Sequence, residues 1–335
     1  AVYTIQVTFG NLVDATHLGG ALSRAAGESV GTYAISQGTL AATPNYALTY
    51  VGADFEITKR TVIVSADALR KVYGAAEPEL TYTVASGSII AGDQFTGKLE
   101  RASGENASTY AVTLGTLSLG NNYSLGLMEG TLFTITPKAI TVSPVAGQNK
   151  VYGSIDPVFS YNTNTDLVGS DAFTGALGRT SGENVGTYEI KKGTLSLNDN
   201  YTLDVVETVS FQITPKALTV FIAAIDKVYD GTVNVIATGS VAAADLVNGD
   251  VVDVTVSDAA FNSKTVGNAK TVTATVSIDN ANYSLSNTTA TTTASITPKE
   301  ITGAFAAENK VYDGTNAAAV TERTLQGVIV QDAVV

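Results

Sequence analysis

The 335-residue chain has a formal net charge of −12, no cysteine and only 15% charged residues. That balance argues against nucleic acid as a partner, which needs clustered Lys and Arg, and it removes disulfide staples and thiolate chemistry altogether. No apolar run approaches the roughly 20 residues that cross a bilayer, and no charged-then-apolar signal segment opens the chain.

A seam recurs along the chain and sets its organisation. It reads Ile57-Thr58-Lys59-Arg60, Ile135-Thr136-Pro137-Lys138, Ile213-Thr214-Pro215-Lys216 and Ile296-Thr297-Pro298-Lys299. The four isoleucines lie 78, 78 and 83 residues apart, a period that means tandem repeats. Each seam is followed by a Lys-Val-Tyr: Lys71-Val72-Tyr73, Lys150-Val151-Tyr152, Lys227-Val228-Tyr229 and Lys310-Val311-Tyr312.

Residues 1–59 read as the back part of one repeat, opening on the strand-like alternation Tyr3-Thr4-Ile5-Gln6-Val7. Residue 1 thus falls inside a repeat, as in a mature product or a window on a longer chain. Residues 60–137 and 138–215 are complete copies. The copies share Arg24, Arg101 and Arg179, then Gly27-Glu28, Gly104-Glu105 and Gly182-Glu183. They also share Tyr33, Tyr110 and Tyr188, followed by Asn45-Tyr46, Asn122-Tyr123 and Asn200-Tyr201.

Segments between turns are short and rich in Val, Thr, Ile and Tyr, with Gly and Asn punctuation about every ten residues, the rhythm of antiparallel β structure. Gly92–Phe95 and Gly169–Phe173 read as single short helical turns. Residues 216–298 keep the seam but change afterwards: Lys227-Val228-Tyr229-Asp230-Gly231-Thr232 replaces Lys-Val-Tyr-Gly, and the Arg and Gly-Glu signals are gone. Residues 299–335 open a further repeat of this second kind, with Lys310-Val311-Tyr312-Asp313-Gly314-Thr315.

On these motifs the first three repeats resemble MBG domains, and residues 216–298 with 299–335 resemble the YDG domain. The resemblance is carried by Lys-Val-Tyr-Gly, Gly-Glu-Asn-Val-Gly-Thr-Tyr at 182–188, Asn-Tyr-x-Leu, Ile-Thr-Pro-Lys and Lys-Val-Tyr-Asp-Gly-Thr. The first copy departs from it with Lys59 in place of proline. Such domains form arrays in very large secreted bacterial surface proteins, including filamentous-haemagglutinin-like adhesins. The resemblance therefore implies a structural, extracellular role at the bacterial cell surface and supplies no catalytic residue.

Several recurring groups invite chemistry. The pairs Arg24/Glu28, Arg101/Glu105 and Arg179/Glu183 suit sugar or anion contacts, but the favoured reading is a turn-stabilising ion pair on a solvated loop. Asp93, Asp171, Asp250, Asp230 and Asp313 sit in turns, and calcium would need about six oxygens around it. No dense acidic loop supplies them, the first repeat has Thr16 in place of Asp93, and a turn aspartate ordinarily bonds its own backbone. Lysines 71, 150, 227 and 310 with Asn122, Asn200 and Asn282 invite comparison with self-formed Lys–Asn isopeptide bonds. Against this stands an exposed strand lysine beside an asparagine turn. His17 is the single histidine and makes no repeated metal site or triad. With no Gly-x-Ser-x-Gly elbow and no phosphate loop before a helix, no enzyme is expected. No catalytic, cofactor or metal residue is assigned. The repeated tyrosines, Tyr73, Tyr152, Tyr229 and Tyr312 among them, are core candidates with the hydroxyl at a strand end.

The fold expected is all-β: a tandem string of small Ig-like antiparallel sandwiches, with β-grasp-like modules as the alternative. The function expected is a stiff stalk or filament segment of an extracellular adhesin or fibre. Its partners would be neighbouring repeats or copies of itself, joined head to tail, and cell-surface or matrix components. The alternatives are a self-assembling filament subunit joined by donor-strand exchange between its incomplete terminal repeats, and a weak glycan-binding array. The two terminal fragments together exceed the length of either repeat, which counts against the exchange.

Overall fold

The computed structural model describes residues 3, 5–8, 10, 18–247 and 249–332; Thr16 and His17 lie outside them. By its internal contacts the chain forms two compact units. The first is Ala1–Ile140 with Thr165–Phe173 and Leu197–Leu203, and the second is Thr141–Asn164 with Thr174–Ser196 and Asp204–Val335. The 138–215 repeat contributes to both.

In the first unit, the strand Arg60–Ala66 alternates exposed and buried positions, so Val62, Val64 and Ala66 point into the core. This is the two-residue period of a strand with one face covered. It is the central strand of a three-stranded sheet, antiparallel to Tyr82–Ser86 and parallel to Tyr123–Leu127. A four-stranded sheet runs Arg70–Val72, Leu132–Thr136, Ser108–Thr113, Glu100–Arg101. Its first pair is parallel and its other two are antiparallel. The inner faces meet in a core of Val64, Ala66, Leu99, Val112, Leu117, Phe133 and Ile135, the construction of a small sandwich. The preceding residues repeat part of this pattern, with Gly31–Ser36 antiparallel to both Ser23–Arg24 and Ala53–Ile57.

In the second unit, Asn149–Val151 runs parallel to Ser210–Thr214, which pairs antiparallel with Gly186–Lys191. Phe211, Ile213, Ile190 and Leu195 are fully buried there, and Phe159 meets Phe211 edge-to-face at 5.1 Å. The 216–298 repeat has its own four-stranded sheet. Lys227–Val228 is parallel to Thr289–Thr297, followed by Gly267–Ile278 and Val254–Phe261 in antiparallel order. Lys216–Leu218 runs parallel to Tyr283–Leu285, and Val220–Ala224 pairs antiparallel with Ala237–Val241. Two buried groups fill it, one around Val220, Ile222 and Val276, the other around Phe261, Val272 and Ile296. Beyond it, Thr302–Ala307 and Val320–Gln326 form a hairpin whose residues are all exposed.

The fold is all-β, a succession of small sandwich modules. No α-helix occurs among the described residues, so the β-grasp-like alternative has no helix to lay across a sheet. The short helical turns expected at Gly92–Phe95 and Gly169–Phe173 are instead single hydrogen-bonded turns, closed by Asp93 N–H to Ile90 O and Asp171 N–H to Val168 O. Only three residues then remain before the isolated bridge at Thr96 or Thr174, too few for helix nucleation to compete. The seam is short: one residue, Pro137, separates Leu132–Thr136 from the strand that begins at Lys138, and one, Pro215, separates Ser210–Thr214 from the strand that begins at Lys216.

Candidate functional site

Two constellations recur, one inside each repeat and one where a repeat meets the next. Inside 60–137, Lys71 stands on a short strand whose neighbours turn its side chain inward. Its Nζ donates to Glu77 Oε2 at 2.8 Å and Glu105 Oε2 at 2.6 Å. Arg101 bridges the same two carboxylates, Nε to Glu77 at 2.5 Å and Nη2 to Glu105 at 2.7 Å. Its Nη1 donates to Gly104 O at 2.6 Å. The guanidinium lies over Tyr110 and Phe133, 4.9 and 5.1 Å from the ring centres, a favourable site for a delocalised cation.

The 138–215 repeat rebuilds the cluster from Lys150, Asp156, Arg179 and Glu183. Two cations against two carboxylates leave it electrically closed. Glu77 is pulled from an ordinary 4.5 to about 2, chiefly by its bond from Arg101 and then by Lys71. Glu105 is lowered by Lys71 and Arg101. Lys71 is raised, first by its bond to Glu105. Burial pulls Lys150 down, but its bonds to Asp156 and Glu183 outweigh burial and leave it raised.

This corrects one expectation and extends another. The MBG seam lysines are not exposed strand lysines, since Lys71 is 9% and Lys150 7% exposed, whereas Lys227 is half-buried and Lys310 is exposed. The Arg–Glu pairs do close their turns with the glutamates in solvent, but the side chains of Arg101 and Arg179 are themselves largely shielded from it and share an additional acid and a lysine with them. In the first repeat Arg24 binds Glu28 and stacks on Tyr33. Glu77 and Asp156 escaped notice because one copy uses glutamate and the other aspartate. The signal that finds them is an acid six residues after the lysine of each complete MBG repeat.

In 216–298 no arginine enters. Lys227 turns instead to its own loop, bonding Asp230 Oδ1 at 2.8 Å, Thr232 O at 2.9 Å and Asn234 O at 2.7 Å, with Phe261 beneath it at 5.8 Å. Asp230 also accepts the Thr232 N–H and is held at about 2, first by Lys227. Lys310, Asp313 and Thr315 repeat this arrangement.

The second constellation joins repeats. Within the first unit, Tyr73 and Tyr201 both donate their hydroxyls to Asp171 Oδ2, at 3.0 and 2.7 Å. Their rings meet edge-to-face at 5.4 Å. Asn198 donates to the other Asp171 oxygen at 3.1 Å, and the Val168 N–H donates to the Tyr201 hydroxyl oxygen at 2.8 Å. Asp171 is lowered by Tyr201 and then Tyr73, and the Tyr73 phenol is raised by its bond to Asp171.

Within the second unit, Tyr152 and Tyr283 converge in the same way on Asp250 Oδ2 at 2.9 and 2.6 Å, rings 5.5 Å apart. Tyr229 donates to Asp332 at 2.8 Å. These aspartates do not spend their carboxylates on their own turn, as a turn aspartate ordinarily would; a tyrosine 98 residues away competes for Asp171 and again for Asp250.

An asparagine completes each joint. Asn200 Oδ1 accepts the Ala107 N–H at 2.7 Å, its Nδ2 donates to Asn106 at 3.1 Å, and its backbone carbonyl accepts the Lys138 N–H at 2.9 Å. Asn282 does the same with Val185, Asn184 and Lys216. Asn122 accepts from Val30 and Arg60. The lysines and asparagines considered for an isopeptide bond are therefore not brought together, since each has other partners. Gly74 shows how tight the joint is. Its φ is 77°, and a Cβ there would stand 2.4 Å from Val168 Cγ2; Gly153 meets Val247 likewise.

Among the described residues, no group of three or more His, Cys, Asp or Glu is placed to hold a metal ion. Among the same described residues, no helix is long and apolar enough to cross a membrane.

Comparison with known proteins follows this Tyr-Gly joint. The family model described as MBG domain (YGX type) matches residues 3–56, 62–134 and 140–209. The chain belongs to the MBG domain family. The YDG domain model matches residues 214–293. Tyr73-Gly74 and Tyr152-Gly153 of the MBG repeats, and Tyr229-Asp230-Gly231 of the YDG repeat, are thus the tyrosine motifs that reach across the joints. No curated protein matches the chain significantly. A solved structure of the N-terminal eight Ig domains of Down Syndrome Cell Adhesion Molecule isoform 1.30.30 is 11% identical, with 89% of this chain and 48% of that one covered, at a TM-score of 0.17. The chain thus spans about half that structure's length.

Proposed function

We propose that the MBG and YDG repeats are a structural segment of a bacterial cell-surface protein, an adhesin or fibre, in which each repeat (1–59, 60–137, 138–215, 216–298 and the start of the next at 299–335) is a module stiffened against its neighbours. The observation that carries this is the recurring joint, in which a tyrosine, an aspartate, a second tyrosine and an asparagine lock successive repeats with the same geometry. The tyrosine hydroxyls of the joint are bonded to its aspartates and the ionic clusters are internally neutral, so neither is arranged to turn over a substrate. A single-residue seam adds to the stiffness, since a flexible linker needs length.

Negative-stain imaging with sizing chromatography of the 335-residue chain tests this. Discrete thin rods that lose straightness in an Asp171→Ala, Asp250→Ala variant are expected. Particles equally bent with and without the joints would overturn the reading.

A second reading has an observation of its own. The hairpin Thr302–Ala307/Val320–Gln326 leaves Ile301 and Phe305 exposed, an edge open to strand addition. Long head-to-tail fibres, lost on deletion of residues 299–335, would make the chain a filament subunit joined by strand exchange.

A further inference from the structure

The strand order carries a mechanical consequence. The chain enters the 60–137 repeat at Arg60 and leaves at Thr136. The entering strand Arg60–Ala66 runs parallel to Tyr123–Leu127 over five facing residues, Arg60↔Tyr123 to Val64↔Leu127. The next, Arg70–Val72, runs parallel to the leaving strand over three, Arg70↔Thr134 to Val72↔Thr136. Bonds bracket both pairings: Arg60 N–H to Asn122 O, Met128 N–H to Val64 O, and Tyr73 N–H to Thr136 O.

Tension along the chain pulls the entering strand backwards along its axis and the leaving strand forwards. Parallel partners pulled this way slide past one another, so all the ladder bonds between them are loaded at once. An antiparallel hairpin pulled at its open ends instead peels one bond at a time. Failure in shear requires several bonds and the Val62 and Val64 packing to give way together, which raises the barrier that governs forced unfolding.

We infer that this parallel closure makes each repeat a shear-loaded clamp, and that the array's further function is to bear tension; this rests on the surface-segment reading only for the source of the force. The same ladder recurs in the 138–215 repeat, where Asn149–Val151 faces Gln212–Thr214 and the bonds Lys138 N–H to Asn200 O and Val206 N–H to Val142 O are kept. The YDG repeat has a shorter version. Lys216–Leu218 faces Tyr283–Leu285 over three residues, and Lys227–Val228 faces Ile296–Thr297 over two. The clamp is therefore graded along the chain, and the YDG repeat is its weaker link.

Single-molecule stretching of the full chain, tethered at its two ends, tests this. With no native cysteine, one added cysteine at each end gives unique attachment. Each 78-residue MBG repeat releases roughly 260 Å of contour on unfolding. The YDG repeat should break first and the two complete MBG repeats later, at distinctly higher force. Arg60→Pro with Met128→Pro deletes two bracketing donors at positions that are not buried, and should drop one MBG event to or below the YDG event. Leu99→Ala, a core truncation outside the clamp, is the control. It should lower the melting temperature while leaving rupture force high.

The inference is overturned if the proline pair leaves rupture force unchanged, if Leu99→Ala lowers it as much at equal thermal cost, or if the YDG repeat outlasts the MBG repeats. Straight rods by imaging alongside weak, ungraded rupture would sink the clamp and leave the surface-segment reading standing.

Discussion

The 60–137 MBG repeat and the 216–298 YDG repeat place a lysine at the same point, on a short strand parallel to the closing one: Lys71 faces Ile135, and Lys227 faces Ile296. What else surrounds the lysine differs. The MBG repeat pairs it with two carboxylates and shares them with an arginine laid on two aromatic rings. The YDG repeat dispenses with the arginine, keeps one carboxylate, Asp230, and folds loop carbonyls around the ammonium, over Phe261. A buried charge must be matched, but carboxylates and carbonyls both serve. The joints at Asp171 and Asp250, by contrast, are built alike. Tyr152 of an MBG repeat meets Asp250 of the YDG repeat with the same geometry by which Tyr73 meets Asp171. The interior is exchangeable chemistry, and the joint is not.

The comparison breaks most severely at Arg101. Arg101→Met removes the cation that both carboxylates share and should cost the 60–137 repeat about 2–3 kcal/mol, below the usual cost of a broken buried pair because Glu77 and Glu105 are partly solvated. Chemical denaturation followed through this repeat should show that loss, with the YDG transition unmoved.

Acid should separate the two kinds next. Glu77 titrates at about 2 in the fold against an ordinary 4.5, and Glu105 is also lowered. Protons therefore bind the unfolded chain first. The stabilisation is complete above about pH 4.5 and disappears as pH falls towards 2. The YDG repeat has one such carboxylate at its lysine, Asp230, so melting temperatures taken from pH 7 to 2 should fall more steeply for the MBG repeats. Equal slopes would mean that the cluster contributes nothing net.

A smaller effect probes what the two kinds share. Tyr283→Phe removes one hydroxyl from the buried side of the Asp250 joint and should cost about 1 kcal/mol. Because Tyr152 donates to the same oxygen, the double variant with Tyr152→Phe should depart from additivity in a double-mutant cycle. Strict additivity would show that the tyrosines bind independently. The smallest change is expected at Asp230→Asn, well under about 1 kcal/mol, since the pair is half in solvent and Lys227 retains its carbonyl partners.

Much of the fold was legible because its signals are local and periodic. The seam, the alternation of Val62, Val64 and Ala66, and the switch from Tyr-Gly to Tyr-Asp-Gly can be read within a few residues. The lysine environment was not, because burial of Lys71 depends on an arginine 30 positions on and an acid whose identity changes between copies. The joints were harder still. Asp171 looks like any turn aspartate until Tyr73, in the preceding repeat, is placed beside it. The clue was nevertheless present: Tyr73 and Asp171 are separated by 98 residues, and so are Tyr152 and Asp250, an offset of one period plus a constant. A fixed offset longer than the period marks contact between copies.

The uniform joint bears on heredity. Each of the three complete repeats carries a tyrosine for the repeat that follows and an aspartate–tyrosine–asparagine set for the one before it, whichever kind it is. A gene that loses the stretch encoding residues 138–215 would still offer Tyr73 to Asp250 and Ala107 to Asn282. Recombination between copies can then lengthen or shorten such a protein in whole steps without leaving a scar at the splice, and the reach of the array becomes a trait that selection can adjust without inventing a new residue.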